Sequence, residues 1–91
     1  MAFEFEWDLD KSSANRAKHG VDFDEASRVF SDPLSLTISD PNHSSDESRH
    51  ITMGASSGKL LVVSHTDRED RVRIISARKA TRRERNDYEK G

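Results

Sequence analysis

The chain contains no cysteine, which excludes disulfides, thiolate nucleophiles and sulfur-ligated metals and fits a reducing, cytoplasmic setting. No apolar run approaches the ~18 residues that a membrane span needs. The acidic start, with Glu4, Glu6, Asp8 and Asp10, is unlike the cationic opening of a signal peptide. A Gly-rich phosphate loop, a nucleophile elbow and a paired-carboxylate motif are missing too, so the chemistries that depend on them are not the starting point. His43, Asp46, Glu47 and His50 form the one grouping with metal-binding side chains. They lack a fixed ligand spacing and fall in or beside a polar stretch, so neither a metal nor another cofactor is expected.

Apolar residues are also scarce: Leu, Ile, Val and Phe make up 18 of 91 positions, close to the roughly 20% below which chains tend to disorder. Disorder normally needs a large net charge as well, whereas 15 basic and 17 acidic residues leave only −2. A folded single domain over residues 1–91 with a small core is expected. Domains of this size bury only about 60–65% of their unfolded surface. A partner that binds the folded form would therefore add stability, and a lone monomer is not the default.

The near-neutral total hides an asymmetry. Residues 1–67 carry six basic and twelve acidic groups (−6), whereas residues 68–91 carry nine basic and five acidic (+4). A basic segment on an otherwise acidic protein marks a local phosphate-binding surface, or else a solvated strand and helix laced with ion pairs. Charge nominates the place, not the ligand.

Periodicity supplies the elements. Phe3, Phe5 and Trp7 alternate with Glu4 and Glu6 as a short strand. Asp8 or Asp10 caps a helix that runs to His19 and ends at Gly20. Lys18 and His19 sit in its last turn, where cations complement the helix dipole, and that reading is favoured over a chemical role. Asp22 and Glu25 form a weak capping box for a second short helix with Phe23, Ala26, Val29 and Phe30 facing inward, stopped at Asp32-Pro33. Leu34, Leu36 and Ile38 alternate as a strand, and residues 39–47 hold no hydrophobic residue and form a loop. Strands follow at 50–56, 59–66 and 71–77, joined by a two-residue turn at Ser57-Gly58 and a four-residue turn at Asp67–Asp70. Thr81 and Glu84 make a standard capping box, so residues 82–90 are helical. The expected class is α+β: an N-terminal strand and two helices on an antiparallel sheet of about four strands, with a C-terminal helix.

Those hairpins divide the side chains between two faces. One carries Arg49, Ile51, Met53, Ala55, Leu60, Val62, Ser64, Thr66, Arg71, Arg73, Ile75 and Ala77. The other carries His50, Thr52, Gly54, Leu61, Val63, His65, Val72, Ile74, Ser76 and Arg78. The first has more apolar groups in its middle and is expected to pack against the helices. The second sets His50 opposite His65, with Arg78 along the same surface.

Phe5-Glu6-Trp7-Asp8, Lys18-His19-Gly20-Val21, Phe30-Ser31-Asp32-Pro33 and the run from Arg73 to Ala80, continued by Arg82-Arg83-Glu84-Arg85 and Tyr88, resemble in this order the BrnT family of toxins. The resemblance implies a RelE-like fold and metal-independent cleavage of RNA that halts translation. It implies neutralisation by an antitoxin with a ribbon-helix-helix DNA-binding domain, in a complex of two toxins with two antitoxins that reaches operator DNA through the antitoxin. No membrane partner is implied.

Metal-free cleavage needs a base for the ribose 2′-hydroxyl, cations for the crowded phosphate and an acid for the departing 5′-oxygen. Histidine and arginine are the natural suppliers. His65, with His50 opposite, is the expected acid or base, although family members commonly have an apolar or aromatic residue at the place of His50. Arg78 is the expected phosphate stabiliser, and Arg49, Arg73, Lys79, Arg82 and Arg83 the expected RNA-backbone contacts. The resemblance also implies that Tyr88 stacks on a base. Each has a plainer alternative: a polar strand end for His65, an ion pair for Arg78, a core contact for Tyr88, a solvated helix face for Arg82 and Arg83. The rival from another class is a catalytically silent module that only docks an antitoxin; a free nucleic-acid-binding protein is disfavoured by the overall acidity. The enzymatic reading requires Arg73 and Arg78 to stand beside an open cleft rather than locked beneath the surface with carboxylates.

Overall fold

A computed structural model describes residues 4–43 and 48–90, the side chain of His43 excepted. Phe3 and the acidic pair Asp46 and Glu47 lie outside the described residues. Strand β1 (Glu4–Glu6) leads into helix α1 (Leu9–His19), and helix α2 (Phe23–Ser27) runs on as a 3-10 turn over Arg28–Ser31. Strands β2 (Leu36–Ser39), β3 (Arg49–Ser56), β4 (Lys59–Arg68) and β5 (Arg71–Lys79) follow, then helix α3 (Arg82–Lys90).

Local chemistry sets these boundaries. The Asp8 carboxylate accepts from the amides of Asp10 and Lys11, so Asp8 rather than Asp10 caps α1, and Gly20 ends it at φ 75°. Asp22 accepts from the Glu25 amide and opens α2. The Ser57-Gly58 turn has positive φ at both residues, 51° and 78°, the hairpin geometry that matches strand twist. Thr81 and Glu84 cap α3 reciprocally, at 3.2 and 2.8 Å.

The sheet has the order β1-β5-β4-β3-β2 and is mixed, because β1 pairs in parallel with β5. The expected four antiparallel strands are present, and the N-terminal strand adds a fifth to their edge instead of packing on them. β4 also extends to Arg68, leaving a two-residue turn at Glu69-Asp70 in place of the expected four. Pairing runs His65 to Ile74 and then jumps to Ser64 with Ser76, so Ile75 is the extra residue of a β-bulge.

The face expected to be open is the one that packs on the helices. Leu61, Val63 and Ile74 join Val21, Phe23, Ala26 and Val29 in the core, with Thr52, His65 and Val72 also buried. Each large side chain here contributes about 1.5–3 kcal/mol by leaving water. Phe5, Trp7 and Phe30 close its margin. The Gly54 backbone passes under the 3-10 turn so closely that a Cβ there would stand 2.9 Å from the Val29 carbonyl oxygen. The sequence count misled because Thr52, Ser56 and His65 look solvent-facing but are satisfied internally. Thr52 bonds Thr37 and His65 at 2.8 and 2.7 Å, and Ser56 donates to the Glu25 carbonyl at 2.7 Å.

Asn15 ties α1 to the sheet. Its amide donates to the carbonyls of Val21 (2.7 Å) and Ala77 (2.9 Å) and accepts from the Ala77 amide at 3.2 Å. Truncation strands buried backbone groups, each at a cost of about 1–3 kcal/mol. Asn15→Ala is therefore expected to lower stability by about 3 kcal/mol and Tm by roughly 12–24 °C for a domain of this size. Thermal denaturation followed by circular dichroism checks this, and a shift under a few degrees would remove Asn15 as the tie.

Candidate active site

The face turned away from α1 and α2 bears Ile51 and Met53 on β3, Val62 and Ser64 on β4, and Ser76 and Arg78 on β5, as the pairing register dictates. The bulge at Ile75 is what brings Ser76 and Arg78 to this side. Without it they would continue the inward alternation of Val72 and Ile74 and point at the helices.

A cavity of about 300 Å³ opens on this face, lined by His19, Asp40, Arg49, Ser64, Ser76 and Arg78 among others. Its imidazole and its two guanidinium groups come from three separate elements. Gly20 stops α1 so that His19 stands at the rim, half-buried. Arg49 opens β3, its Nε 3.5 Å from the Oδ2 of buried Asp40. Arg78 closes β5 and is gripped by Glu84 through two bonds, Nη1 to Oε1 at 2.7 Å and Nη2 to Oε2 at 2.9 Å. The guanidinium and the capping bond from the Thr81 amide hold the Glu84 carboxyl down at about 2, and Glu84 in turn raises Arg78 above its ordinary value. This pair is at the surface, with 44% of the Arg78 side chain exposed. Five N–H donors serve a guanidinium. Among the described residues Glu84 takes two and the Lys79 carbonyl one, which leaves two that could serve a ligand.

The expected site residues do not converge. His65 is 2% exposed on the helix-covered face, so a layer of sheet separates it from the cavity, and it cannot reach an RNA bound there. His50 stacks on it on the same side, ring centres 5.8 Å apart, and its Nδ1 lies 2.9 Å from the Ser48 carbonyl oxygen. Arg49 and Arg78 do line the cavity. Arg73 is exposed two rows along the same face, opposite Thr66. Lys79 borders a different depression with Lys59 and Arg85, and Arg82 and Arg83 are exposed on α3. Tyr88 reaches away from the cavity, donating to Asp32 Oδ2 at 2.5 Å. That bond, with the amides of Ala55 and Leu34, lowers the Asp32 pKa, and Asp32 raises that of Tyr88. His19 was passed over because its position in a last helical turn already had an electrostatic explanation. The Lys-His-Gly run was the signal, since the helix-ending glycine fixes where the histidine stops.

His65 is held as a structural group. Thr52 Oγ1 lies 2.7 Å from its Nε2, Asp67 Oδ1 lies 2.7 Å from its Nδ1, and its ring meets Phe30 edge-on at 4.9 Å. Burial pushes its pKa below the ordinary 6.5, outweighing the upward pull of Asp67. The folded state thus binds this proton more weakly than the unfolded chain does. The stability contributed is complete above pH 6.5 and falls as the pH drops below it. Tm is expected to hold between pH 8 and 7 and to decline from about 6.5 to 5.5. His65→Gln, less stable throughout, should show a flatter decline; an unchanged slope would rule out His65 as its source.

A search of curated proteins returned no match to this chain. Against protein-family models, residues 7–84 match the family described as the ribonuclease toxin BrnT of type II toxin-antitoxin systems. The match takes in the whole cavity lining, His19, Asp40, Arg49, Ser64, Ser76 and Arg78 included, together with Glu84 of the clamp. The chain belongs to the BrnT family of type II toxin-antitoxin ribonuclease toxins.

Proposed function

We propose that this chain is a metal-independent RNA endonuclease that inhibits translation in the cytoplasm, and that the cavity carrying His19, Arg49 and Arg78 is where it cuts. The observation that carries this reading is the meeting of one imidazole and two guanidinium groups, from α1, β3 and β5, around an open, hydroxyl-lined cavity. Those are the groups that the reaction needs. His19 takes the proton of a ribose 2′-hydroxyl as its oxygen bonds to the adjacent phosphorus. The bond from phosphorus to the 5′-oxygen breaks, leaving a 2′,3′-cyclic phosphate, and solvent water protonates the departing 5′-oxygen. Arg49 and the two uncommitted donors of Arg78 stabilise the charge gathered on the phosphate oxygens, with the hydroxyls of Ser64 and Ser76 beside them.

Arg73 and the exposed Arg82 and Arg83 extend a cationic track for the RNA backbone, salt-dependent as all such contacts are. The RelE-like arrangement proposed for the fold, a sheet with α1 and α2 on one face, leaves the part of the other face beside α3 for substrate. Neutralisation would come from an antitoxin with a ribbon-helix-helix domain, two of each chain in the complex, and operator DNA would be met through the antitoxin.

Inducing the gene in a bacterial host tests the proposal. Wild type is expected to arrest growth and to leave fresh RNA ends even when the purified protein is assayed with excess chelator. His19→Ala and Arg78→Ala should each relieve the arrest and lower cleavage by about 10²–10⁴-fold, with the far-ultraviolet circular dichroism spectrum retained. Arrest undiminished in His19→Ala would refute its role, and a wild type that neither arrests growth nor cuts RNA would favour the silent docking module.

A further inference from the structure

A second hollow of about 450 Å³ lies beside the first, and Asn42, Ile51, Val62 and Arg78 line both. Its character is different. The floor is apolar, built by Leu36, Ile38, Ile51, Met53 and Val62, and one wall is the acidic side of α3 with Glu84 and Asp87. Ile38 is 59% exposed and Leu36 40%, an apolar surface larger than an isolated exposed residue requires. Arg78 lines both hollows; the first adds His19, Arg49 and an Asp40 carboxylate that lies 3.5 Å from Arg49, whereas the second adds the carboxylates of Glu84 and Asp87.

This division sorts the parts of a nucleotide. Carboxylates repel phosphate and accept N–H groups, and an apolar floor suits a flat ring rather than a charged backbone. Asp87 makes no hydrogen bond or ion pair through its carboxylate within the described residues, so its acceptors are available to a ligand. We propose that the hollow between β2, β3 and α3 is a nucleobase subsite. In it, a base next to the scissile phosphate lies on Ile38, Met53 and Ile51 while Asp87 accepts from the N–H groups of its edge. Bases that offer such donors are favoured, and the enzyme therefore cuts with a preference at one flanking position. This rests on the reading of the adjoining cavity as the cutting site.

The test maps transcript ends in cells producing wild type, Asp87→Asn or Ile38→Ser, both surface substitutions. Wild-type ends should share a base preference at one position beside the cut. Asp87→Asn should weaken that preference by about tenfold, the worth of a well-made pair of base contacts, while cutting continues. Ile38→Ser should weaken it less. Fresh ends with no base preference, or with a preference unchanged in Asp87→Asn, would overturn the subsite and leave the nuclease standing. Variants that keep the preference but no longer co-purify with the antitoxin would show the hollow to be a protein-docking surface instead. If wild type produces no new ends, both readings fall together.

Discussion

The bulge at Ile75 is the constraint on which the cavity depends. Up to Ile74, β5 alternates in the register of β4, with Val72 and Ile74 in the core and Arg71 and Arg73 outside. One extra residue then inverts the pattern, so that Ala77 continues the core while Ser76 and Arg78 turn outward. Asn15 holds the inverted stretch by gripping both backbone groups of Ala77. A bulge needs such a grip because its unpaired residue weakens the ladder locally. The α1 helix that supplies Asn15 also ends at His19, so the same interaction that fixes where Arg78 emerges fixes where the histidine of the cavity stands.

The helix-covered face contains more polar chemistry than a small core usually holds. Thr37, Thr52, His65 and Asp67 form one hydrogen-bonded chain running from β2 through β3 to β4. A fully satisfied network of this kind rigidifies and fixes register, whereas a partly satisfied one is costly. In this chain it aligns the three strands whose outward residues build both hollows. The two histidines therefore serve the site indirectly, from the opposite side of the sheet, by holding its floor flat and in register.

How far the sequence reveals this follows from which signals are local. Capping residues and turn chemistry are contained within a few positions, so α1, α2, α3 and the Ser57-Gly58 hairpin are all foreseeable from Asp8, Gly20, Asp22, Thr81 and the turn itself. The pairing of His50 with His65 follows from the same hairpin. The parallel docking of β1 on β5 is a long-range choice with no local mark. The bulge is equally silent, since nothing in Ile74-Ile75-Ser76 says which residue is skipped. Choosing the buried face by counting apolar groups fails for a physical reason: the outer face carries Leu36, Ile38 and Met53 around an open hollow, while the inner one contains Thr52 and His65 satisfied within. His19 and Arg49 were separately visible as cations, but their meeting with Arg78 is a product of the fold.

The two hollows differ in how firmly they are built. The floor of the first and its two arginines are set on strands whose inward residues reach the core, while His19 stands at the end of α1; donors that need not reorganise give the most electrostatic stabilisation. The wall of the second is α3, which has no buried residue and is fastened by polar contacts at its ends, Arg78 with Glu84 and Asp32 with Tyr88. With no side chain of its own in the core, α3 is held by these polar contacts and its capping box rather than by apolar packing. Glu84 belongs to both: it fastens α3 to Arg78 of the first cavity and forms part of the wall of the second.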